Sequence, residues 1–457
     1  MIRKIRIAAA TFFMIAITLL FLDFTGSVHA YLGWCAKAQL VPAILAMSVA
    51  SIVIILLTLL LGRIYCSVLC PLGIFQDIFS RKKFAYRPSR KKLVILRYVL
   101  LAAFPFTPLI TLLEPYSAYG RIASQLLRPI YLCANNLLAY FAERMDSYAF
   151  YSVDIWMKGT GVLSIAIVTF LAVGISAWKT GRGYCNTVCP VGAFLGLLAK
   201  FSVIKMRIDK DKCTSCGICA KGCKAACIDS SKKEIDYLRC VDCFTCMANC
   251  PKNAIKYAPA KSADKPTEEG LVRRNLFIGT ASLLVSKVAA HEFDGGLAKL
   301  EDKQKPQRTK PIIPPGADNF RSFHDRCTGC QLCTTVCANQ LLSPLKSTKP
   351  TISFERGYCR PECVKCSQSC PTGAIRPITV AEKSSIQIGY AIWKPELCVA
   401  DCDLCVRKCP TNAVQKVEGK IVIAQERCIG CGACEHLCPV RPQSAIYVEG
   451  VETHRTV

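Results

Sequence analysis

The chain has 457 residues and a mean hydropathy of +0.31, which is high for a wholly soluble protein and indicates that part of it lies in a bilayer. Its formal net charge is +26, and 24 of its 31 cysteines fall in six runs of four with short, regular spacing. Such spacing is typical of metal cofactor sites and excludes a small secreted protein held together by disulfides.

Four apolar runs are about as long as an α-helix needs to cross a bilayer, namely residues 7–22, 40–62, 93–113 and 160–178. The first follows a basic N-terminus, but no small-residue cleavage site stands out, and we interpret it as a retained anchor. Residues 129–142 are apolar but contain two asparagines, and they predict a helix on the membrane surface, with a fifth span as the alternative. Residues 1–204 are therefore predicted to form a membrane α-helical bundle.

Loop charge predicts the orientation of this bundle. Residues 63–92 carry eight lysines and arginines, whereas residues 23–39 carry only Lys37. By the positive-inside rule, both ends of the bundle face the cytoplasm of a bacterial inner membrane.

The bundle contains an internal repeat with the pattern GRxYCxxxCPxGxF, at residues 62–75 and 181–194. Each copy follows a predicted span, and a pseudo-symmetric bundle would bring its cysteines together. These are Cys66, Cys70, Cys185 and Cys189. We expect them to form an additional redox or metal site, or a thiol relay. The alternative is that Gly and Pro shape two turns and the cysteines are small buried apolar residues.

Residues 205–258 contain two consecutive cysteine runs of the kind that hold paired [4Fe-4S] clusters. In such a pair, the fourth cysteine of each run ligates the other cluster. The predicted ligand sets are Cys213, Cys216, Cys219 with Cys250, and Cys240, Cys243, Cys246 with Cys223. Cys227 lies close by and is interpreted as a spare thiol, with a role as substitute ligand as the alternative.

Residues 259–320 are predicted to be linkers around an apolar segment, residues 271–291. Arg273 and Arg274 precede this segment, as in a twin-arginine export signal, which carries folded cargo across the inner membrane. The last part of the chain is then periplasmic. The alternative is an amphipathic helix packed on the membrane face.

Four more cysteine runs follow, two in residues 321–380 and two in residues 381–457. The same crossing rule predicts four ligand sets: Cys327, Cys330, Cys333 with Cys370; Cys359, Cys363, Cys366 with Cys337; Cys398, Cys402, Cys405 with Cys438; and Cys428, Cys431, Cys434 with Cys409. Short alternating segments predict hairpin strands. The fold class is thus a membrane helical bundle plus three α+β bacterial two-cluster ferredoxin-like domains, with six [4Fe-4S] clusters.

Clusters with four thiolates would remove about 12 units of positive charge, and we predict no nucleic-acid partner. Among single residues, Cys35 and Cys133 could pair, although separate packing is the simpler interpretation. His436 is predicted to be a polar neighbour of the last cluster. Arg97 lies inside a span and is a candidate for quinone or headgroup contact.

The chain resembles two ferredoxin-type families joined end to end. Residues 1–258 resemble the NapH-like membrane polyferredoxins, a pattern shared with the NosR and FixG/CcoG families, through the paired GRxYCxxxCPxGxF turns and the adjoining cysteine runs. Residues 271–447 resemble the NapG-like exported ferredoxins through Arg273-Arg274, the sequence IPPGA at 313–317 and four cysteine runs in the same order.

The resemblance implies electron transfer between the quinone pool, or a cytoplasmic donor, and a partner reductase outside the inner membrane. No catalytic residue stands out, so no bond-making step is expected beyond quinol oxidation. The NosR and CcoG resemblance implies an alternative, a maturation or metal-reducing factor that would depend on the four bundle cysteines. A third hypothesis is a membrane scaffold with structural clusters.

Overall fold

A computed structural model describes residues 1–80, 86, 88, 91–104, 111–147, 149–155, 160–259, 306–343, 348–399 and 402–457. The segment with Arg273 and Arg274 lies outside the described residues. The N-terminal half is helical: α1 (Ile2–Leu22), α2 (Ser27–Lys37), α3 (Leu40–Leu45), α4 (Val49–Leu61), α5 (Ile64–Val68), α6 (Pro71–Phe79), α7 (Lys91–Ala103), α8 (Pro115–Ile122), a π-helical turn (Ala123–Leu127), α9 (Arg128–Arg144), α10 (Thr160–Thr180), α11 (Gly183–Thr187) and α12 (Pro190–Lys200).

Two helices in the described part of the chain, α1 and α10, are long and apolar enough to cross a membrane. The predicted span at 40–62 is not one helix. It breaks at Met47, which has a positive φ of 50°, and α3 turns inward so that Leu40 and Val41 are buried in the bundle. The remaining piece, α4, has 13 residues and is about 20 Å long, which is short of a typical hydrocarbon core. The predicted span at 93–113 includes α7, but residues 105–110 lie outside the described residues.

The bundle core lies where α1, α6, α8 and the two GRxYC turns meet. Ile17, Leu20 and Phe21 of α1 are fully buried against Tyr116 and other residues of α8. The predicted surface helix forms as α9, with Leu132, Asn135 and Ala139 buried. α9 therefore packs one face against the protein.

The first ferredoxin-like unit is a small α+β domain. Its elements are β1 (Ile204–Ile208), α13 (Ile218–Lys221), β2 (Ile228–Asp229), β3 (Glu234–Ile235), α14 (Thr245–Asn249) and β4 (Ile255–Pro259). β1 pairs antiparallel with β4 so that Met206 faces Tyr257, and β2 pairs with β3. Pairing of the first and last strands brings the two cysteine runs together.

The C-terminal part contains α15 (Phe320–Arg326), α16 (Leu332–Thr335), β5 (Leu342–Ser343), β6 (Thr351–Ile352), α17 (Lys365–Ser369), α18 (Val380–Ser385), β7 (Ile386–Trp393), a 3₁₀ turn (Pro395–Leu397), α19 (Leu404–Arg407), β8 (Val414–Val417), β9 (Lys420–Ile423), α20 (Ala433–Leu437) and β10 (Ile446–Thr456). Residues of both predicted domains, such as Ile352 and Val448, share one hydrophobic core. The two cysteine-rich segments therefore form one body, which we call the C-terminal body.

Residues 306–319, which composition assigned to a linker, belong to this body. Ile312 and Ile313 are buried in its core, and Arg308 donates to the carbonyl of Val448 at 2.8 Å. The linker prediction is wrong for this stretch, because its two isoleucines fill the core between the cysteine-rich segments.

The first ferredoxin-like unit and the C-terminal body lie near opposite ends of α1. Near the start of α1, Arg6 pairs with Asp77 of α6 at 2.7 Å, and Lys224 of the first unit lies 3.4 Å from the same carboxylate. Just beyond the end of α1, the Lys365 ammonium of the C-terminal body donates to the carbonyl of Thr25 at 2.9 Å. These ends are separated by most of the length of α1.

Candidate cysteine sites

The first unit brings together the two cysteine sets that the crossing rule predicts. One pocket is lined by Cys213, Cys216, Cys219 and Cys250. A second pocket is lined by Cys223, Cys240, Cys243 and Cys246, together with Cys227. In each case the fourth cysteine comes from the other run. The ligand assignment itself stays a prediction.

Cys227 lies within the second set. Its sulfur is 3.5 Å from that of Cys223, and hydrogen bonding between the two thiols lowers the pKa of Cys223 and raises that of Cys227. Five thiols thus surround one cavity. The structure places Cys227 as close to the set as a ligand would be, so both interpretations from the sequence remain.

A buried carboxylate lies beside this second set. Asp242 Oδ1 is 3.6 Å from the Cys240 sulfur, and Asp242 Oδ2 accepts a hydrogen bond from the backbone N–H of Arg63 at 2.7 Å. Burial raises the pKa of Asp242 to about 6. Asp242 therefore joins the first unit to the first GRxYC turn. Sequence reasoning missed it, because an Asp between two ligand cysteines has no distinguishing spacing.

The C-terminal body contains the other four sets. Cys333 interacts electrostatically with Cys327, Cys330 and Cys370, and burial raises the pKa of Cys327 to about 12. The other three sets are also assembled: Cys366 with Cys359, Cys363 and Cys337; Cys398, Cys402, Cys405 and Cys438 around one pocket; and Cys434 with Cys431, Cys428 and Cys409. Each set again combines three cysteines of one run with the fourth of its partner.

A buried lysine accompanies one of these sets. Lys383 is 1% exposed, and its ammonium hydrogen-bonds the Cys359 sulfur. No group of three or more cysteine, histidine or acidic side chains among the described residues could hold a single metal ion. The sulfurs instead surround cavities, which suits a multi-iron cluster bound at its corners.

The four cysteines of the repeated turns also converge, in the middle of the bundle. Cys66, Cys70, Cys185 and Cys189 are each 3–4% exposed, and Cys70 interacts electrostatically with the other three. Cys70 and Cys189 are the N-caps of α6 and α12, and the Cys189 sulfur accepts from the backbone N–H of Gly192 at 3.3 Å. Helix N-termini stabilise thiolates. We call this set the bundle quartet.

The arginines of the two GRxYC turns surround the bundle quartet. Arg63 Nη2 lies 3.8 Å from the Cys66 sulfur, while Arg182 Nη1 donates to the backbone carbonyl of Cys66 at 2.7 Å. A Cβ on Gly73 would lie against the backbone oxygen of Cys66 and 2.7 Å from Arg182 Nη1, and one on Gly192 would lie against the backbone oxygen of Cys185 and 3.0 Å from Arg63 Nη2. Each turn therefore needs its glycine because its own backbone carbonyl leaves no room for a Cβ, and the arginine of the other turn lies close by.

Gln76 completes the surroundings of the quartet, since its Nε2 donates to the Cys185 sulfur at 3.0 Å. Sequence reasoning did not single out Gln76 or the two arginines. The repeated Arg in both turns was the signal that could have identified Arg63 and Arg182. Nothing in the spacing marks Gln76.

The remaining single residues have structural contacts. Arg97 is 5% exposed and donates to the carbonyls of Gly192 and Leu238 at 2.9 and 3.1 Å, so it ties α7 to α12 and to the first unit. Cys35 is buried and Cys133 is exposed, and they form no disulfide. His436 lies 3.0 Å from the carbonyl of Phe354 through Nδ1.

Comparisons with known families identify iron–sulfur domains in two regions. A family described as a 4Fe-4S binding domain matches residues 43–93 and 161–209, and each match contains one GRxYC turn. A family described as a 4Fe-4S dicluster domain matches residues 397–441, which contain all eight cysteines of the last two runs.

Several ferredoxin-type proteins are related to this chain. The methylamine utilization ferredoxin-type protein MauN of Paracoccus denitrificans is 30% identical over 203 residues, which cover 42% of this chain and 57% of MauN. The ferredoxin-type protein NapH of Escherichia coli is 26% identical over 222 residues, covering 46% of this chain and 67% of NapH. An uncharacterised protein of Methanocaldococcus jannaschii is 25% identical over 244 residues, covering 51% of this chain and 80% of that protein. These findings support an iron–sulfur electron-transfer role.

Proposed function

We propose that this protein is a membrane-bound polyferredoxin that passes electrons between the quinone pool, or a cytoplasmic donor, and a partner reductase on the other side of the membrane. The observation that carries the proposal is that two cysteine-rich bodies lie near opposite ends of α1. The first reaches its start through Asp77 of α6, and the second bonds Thr25 just beyond its end. Arg6 and Phe21, which lie near these ends, are fifteen residues apart, or about 22 Å along the helix axis.

The exposed surface of the bundle supports its placement in a bilayer. Apolar side chains are exposed along α1, α4, α7 and α10, including Ile15, Leu56, Ile95 and Val168, which are 54%, 53%, 63% and 64% exposed. Exposed apolar area of this extent is rare on soluble proteins and marks contact with lipid or another protein. We propose that these faces contact lipid.

Six [4Fe-4S] clusters fit the six assembled thiol sets, and we propose the ligands that the crossing rule predicts. Each set has four thiols from two runs, and three of the sets line a pocket. When bound, such clusters supply one-electron carriers. The chain holds the thiols in place and sets the charge around them.

The C-terminal body is seated on the bundle by specific contacts. Arg128 of α9 donates to the carbonyl of Thr335 at 2.9 Å, and the backbone carbonyl of Cys330 lies against Gly120 of α8. A cysteine of the third set thus lies in the bundle core with Phe21 and Tyr116. This seating holds the C-terminal body against the bundle, which favours electron transfer between the two. A C-terminal body attached only by a flexible linker would not be held in this way.

For sidedness, we propose that the first unit is cytoplasmic and the C-terminal body periplasmic. Loop charge supports the first assignment, and the location of the two bodies near opposite ends of α1 supports the second. The paired arginines at 273 and 274 supply an export route, as in the NapG-like proteins that residues 271–447 resemble.

The alternative, a maturation or metal-reducing factor of the NosR or CcoG kind, would require the bundle cysteines to meet a metal centre of another protein. They are 3–4% exposed. Direct thiol contact with a partner would need the bundle to open, so the geometry favours electron transfer through the chain.

Protease accessibility of a tag placed after Val457 tests the proposal. In spheroplasts we expect the tag to be cleaved, and we expect cleavage to disappear when Arg273 and Arg274 are both changed to lysine. A tag after Met1 is the internal control and should stay protected. Protection of the C-terminal tag in the wild-type protein would contradict the proposal.

A further inference from the structure

We propose that the bundle quartet holds a seventh [4Fe-4S] cluster, shared between the two GRxYC turns. Each turn contributes two cysteines, so neither turn alone can bind it. This inference deepens the electron-transfer function proposed above and rests on it for the role of the cluster, but the site itself is argued from the residues of the bundle.

Charge is the first argument for an anionic centre at this position. Arg63 and Arg182 are both fully buried, and among the described residues Arg63 has no carboxylate on its guanidinium. Arg182 shares the single carboxylate of Asp77 with Arg6 and Lys224. The interior thus holds more cations than carboxylates. A buried cation without a counter-charge is strongly destabilising, so the thiols must supply negative charge.

The amount of charge fits a cluster. An oxidised [4Fe-4S] centre with its four thiolates carries about −2, which two guanidinium groups neutralise. Two disulfides or four neutral thiols would leave Arg63 without a counter-charge, and Arg182 with only the carboxylate of Asp77 that it shares with Arg6 and Lys224. Arg63 Nε and Arg182 Nη2 are also buried and have no hydrogen-bond partner among the described residues.

Hydrogen bonds to the sulfurs are the second argument. Gln76 donates to Cys185 and the backbone N–H of Gly192 donates to Cys189, while the backbone N–H of Gly73 donates to Cys70. Charge-assisted bonds of this kind stabilise thiolates, and bonds to ligand sulfurs are a recognised means of tuning cluster potentials. The same pattern occurs at both turns, which matches one centre on a pseudo-twofold axis.

The position of the quartet gives the cluster its role. On one side, Asp242 lies 3.6 Å from the Cys240 sulfur and bonds the backbone of Arg63, whose guanidinium reaches Cys66. On the other side, Cys66, Cys70 and Cys189 share one buried core with Cys330 of the third set. The quartet therefore lies between the second and third cysteine sets.

Iron and acid-labile sulfide analysis of the full-length protein, purified without oxygen in detergent, tests the inference. Three variants are compared with the wild type: Cys66→Ala with Cys70→Ala, Cys185→Ala with Cys189→Ala, and all four changes together. We expect each pair to lose about four iron atoms and four sulfides per chain, and the quadruple variant to lose no more. Cys133→Ala, at an exposed cysteine of α9, is the control and should lose none.

Mössbauer spectra of the wild type minus the quadruple variant should show one [4Fe-4S] component. Unchanged iron content in both pair variants would overturn the inference. A quadruple variant that loses twice as much iron as either pair variant would also overturn it, since that result indicates two separate centres. A misfolded variant is recognised by loss of the remaining clusters as well. A wild-type total of about 28 iron atoms per chain supports seven clusters, whereas a total far below 24 would contradict the six-cluster proposal. The difference in iron content between the wild type and the variants tests the bundle site alone.

Discussion

Gly120 allows the C-terminal body to seat on the bundle, and Gly120→Ala should loosen that seat. A methyl group there would lie 2.5 Å from the backbone oxygen of Cys330 and 2.6 Å from Cζ of Phe21. Neither atom belongs to a flexible side-chain end. In an unconstrained helix, Gly→Ala stabilises by about 1 kcal/mol, whereas overpacking of this kind costs about 1–3 kcal/mol.

The helix gain stabilises α8 whether or not the C-terminal body is seated, so the seat itself should weaken by about 1–3 kcal/mol, or roughly 5- to 150-fold in the seated population. Hydrogen–deuterium exchange of peptides covering residues 327–341 measures it, and exchange there should accelerate by that factor. Exchange in β7 should stay unchanged, because the C-terminal body remains folded. Gly174→Ala in α10 is the matched control, since a Cβ there meets no atom within 4 Å. Equal exchange in Gly120→Ala and wild type would refute the seating.

Three further substitutions test the electrostatics. Lys383→Met removes the buried ammonium at Cys359 and should lower the reduction potential of one cluster by about 60 mV or more, measured by redox titration with EPR detection. Asp242→Asn removes the carboxylate beside Cys240 and should raise one potential by a similar amount at pH 8, above the Asp242 pKa of about 6; unchanged titration curves would contradict either assignment. Burial lowers the pKa of His454 to about 4, so protonation favours the unfolded chain between that value and its ordinary pKa. The C-terminal body should lose about 2 kcal/mol of stability from pH 7 to pH 5 in denaturant titrations, and His454→Leu should remove that part of the loss; an equal loss in the variant would be the contrary result.

The cysteine pattern predicted more of the structure than any other feature of the sequence. Crossing of Cys223 and Cys250 between runs requires the first and last strands of the unit to meet, and β1 does pair with β4. The repeat likewise predicted that Cys66 and Cys185 approach each other. The spacing of the cysteines predicts the structure well here because the geometry of the cofactor allows few backbone arrangements.

Hydrophobicity alone predicted less. The run 40–62 is continuously apolar, and nothing in its composition shows that the chain turns at Met47 and buries α3. Composition also assigned residues 306–319 to a linker, although Ile312 and Ile313 complete the core of the C-terminal body. Both errors arise because tertiary packing decides where an apolar residue goes.

The arginines show a different limit. Arg63 and Arg182 were visible in the repeated motif, but their burial against the cysteines depends on the crossing of the two turns. A sequence shows which charges exist, whereas only the fold shows that the Arg63 guanidinium bonds no carboxylate among the described residues and that Arg182 shares Asp77 with Arg6 and Lys224. This shortage of carboxylates is what distinguishes a candidate cluster site from a pair of purely structural turns.

Electron conduction across a sealed bilayer tests the central claim most directly. The purified protein is reconstituted in liposomes that contain ferricyanide, and dithionite, which does not cross lipid, is added outside. We expect the trapped ferricyanide to be reduced much faster than in protein-free liposomes, and more slowly with Gly120→Ala than with Gly174→Ala. Reduction at the protein-free rate, with all clusters present, would contradict a path through the bundle.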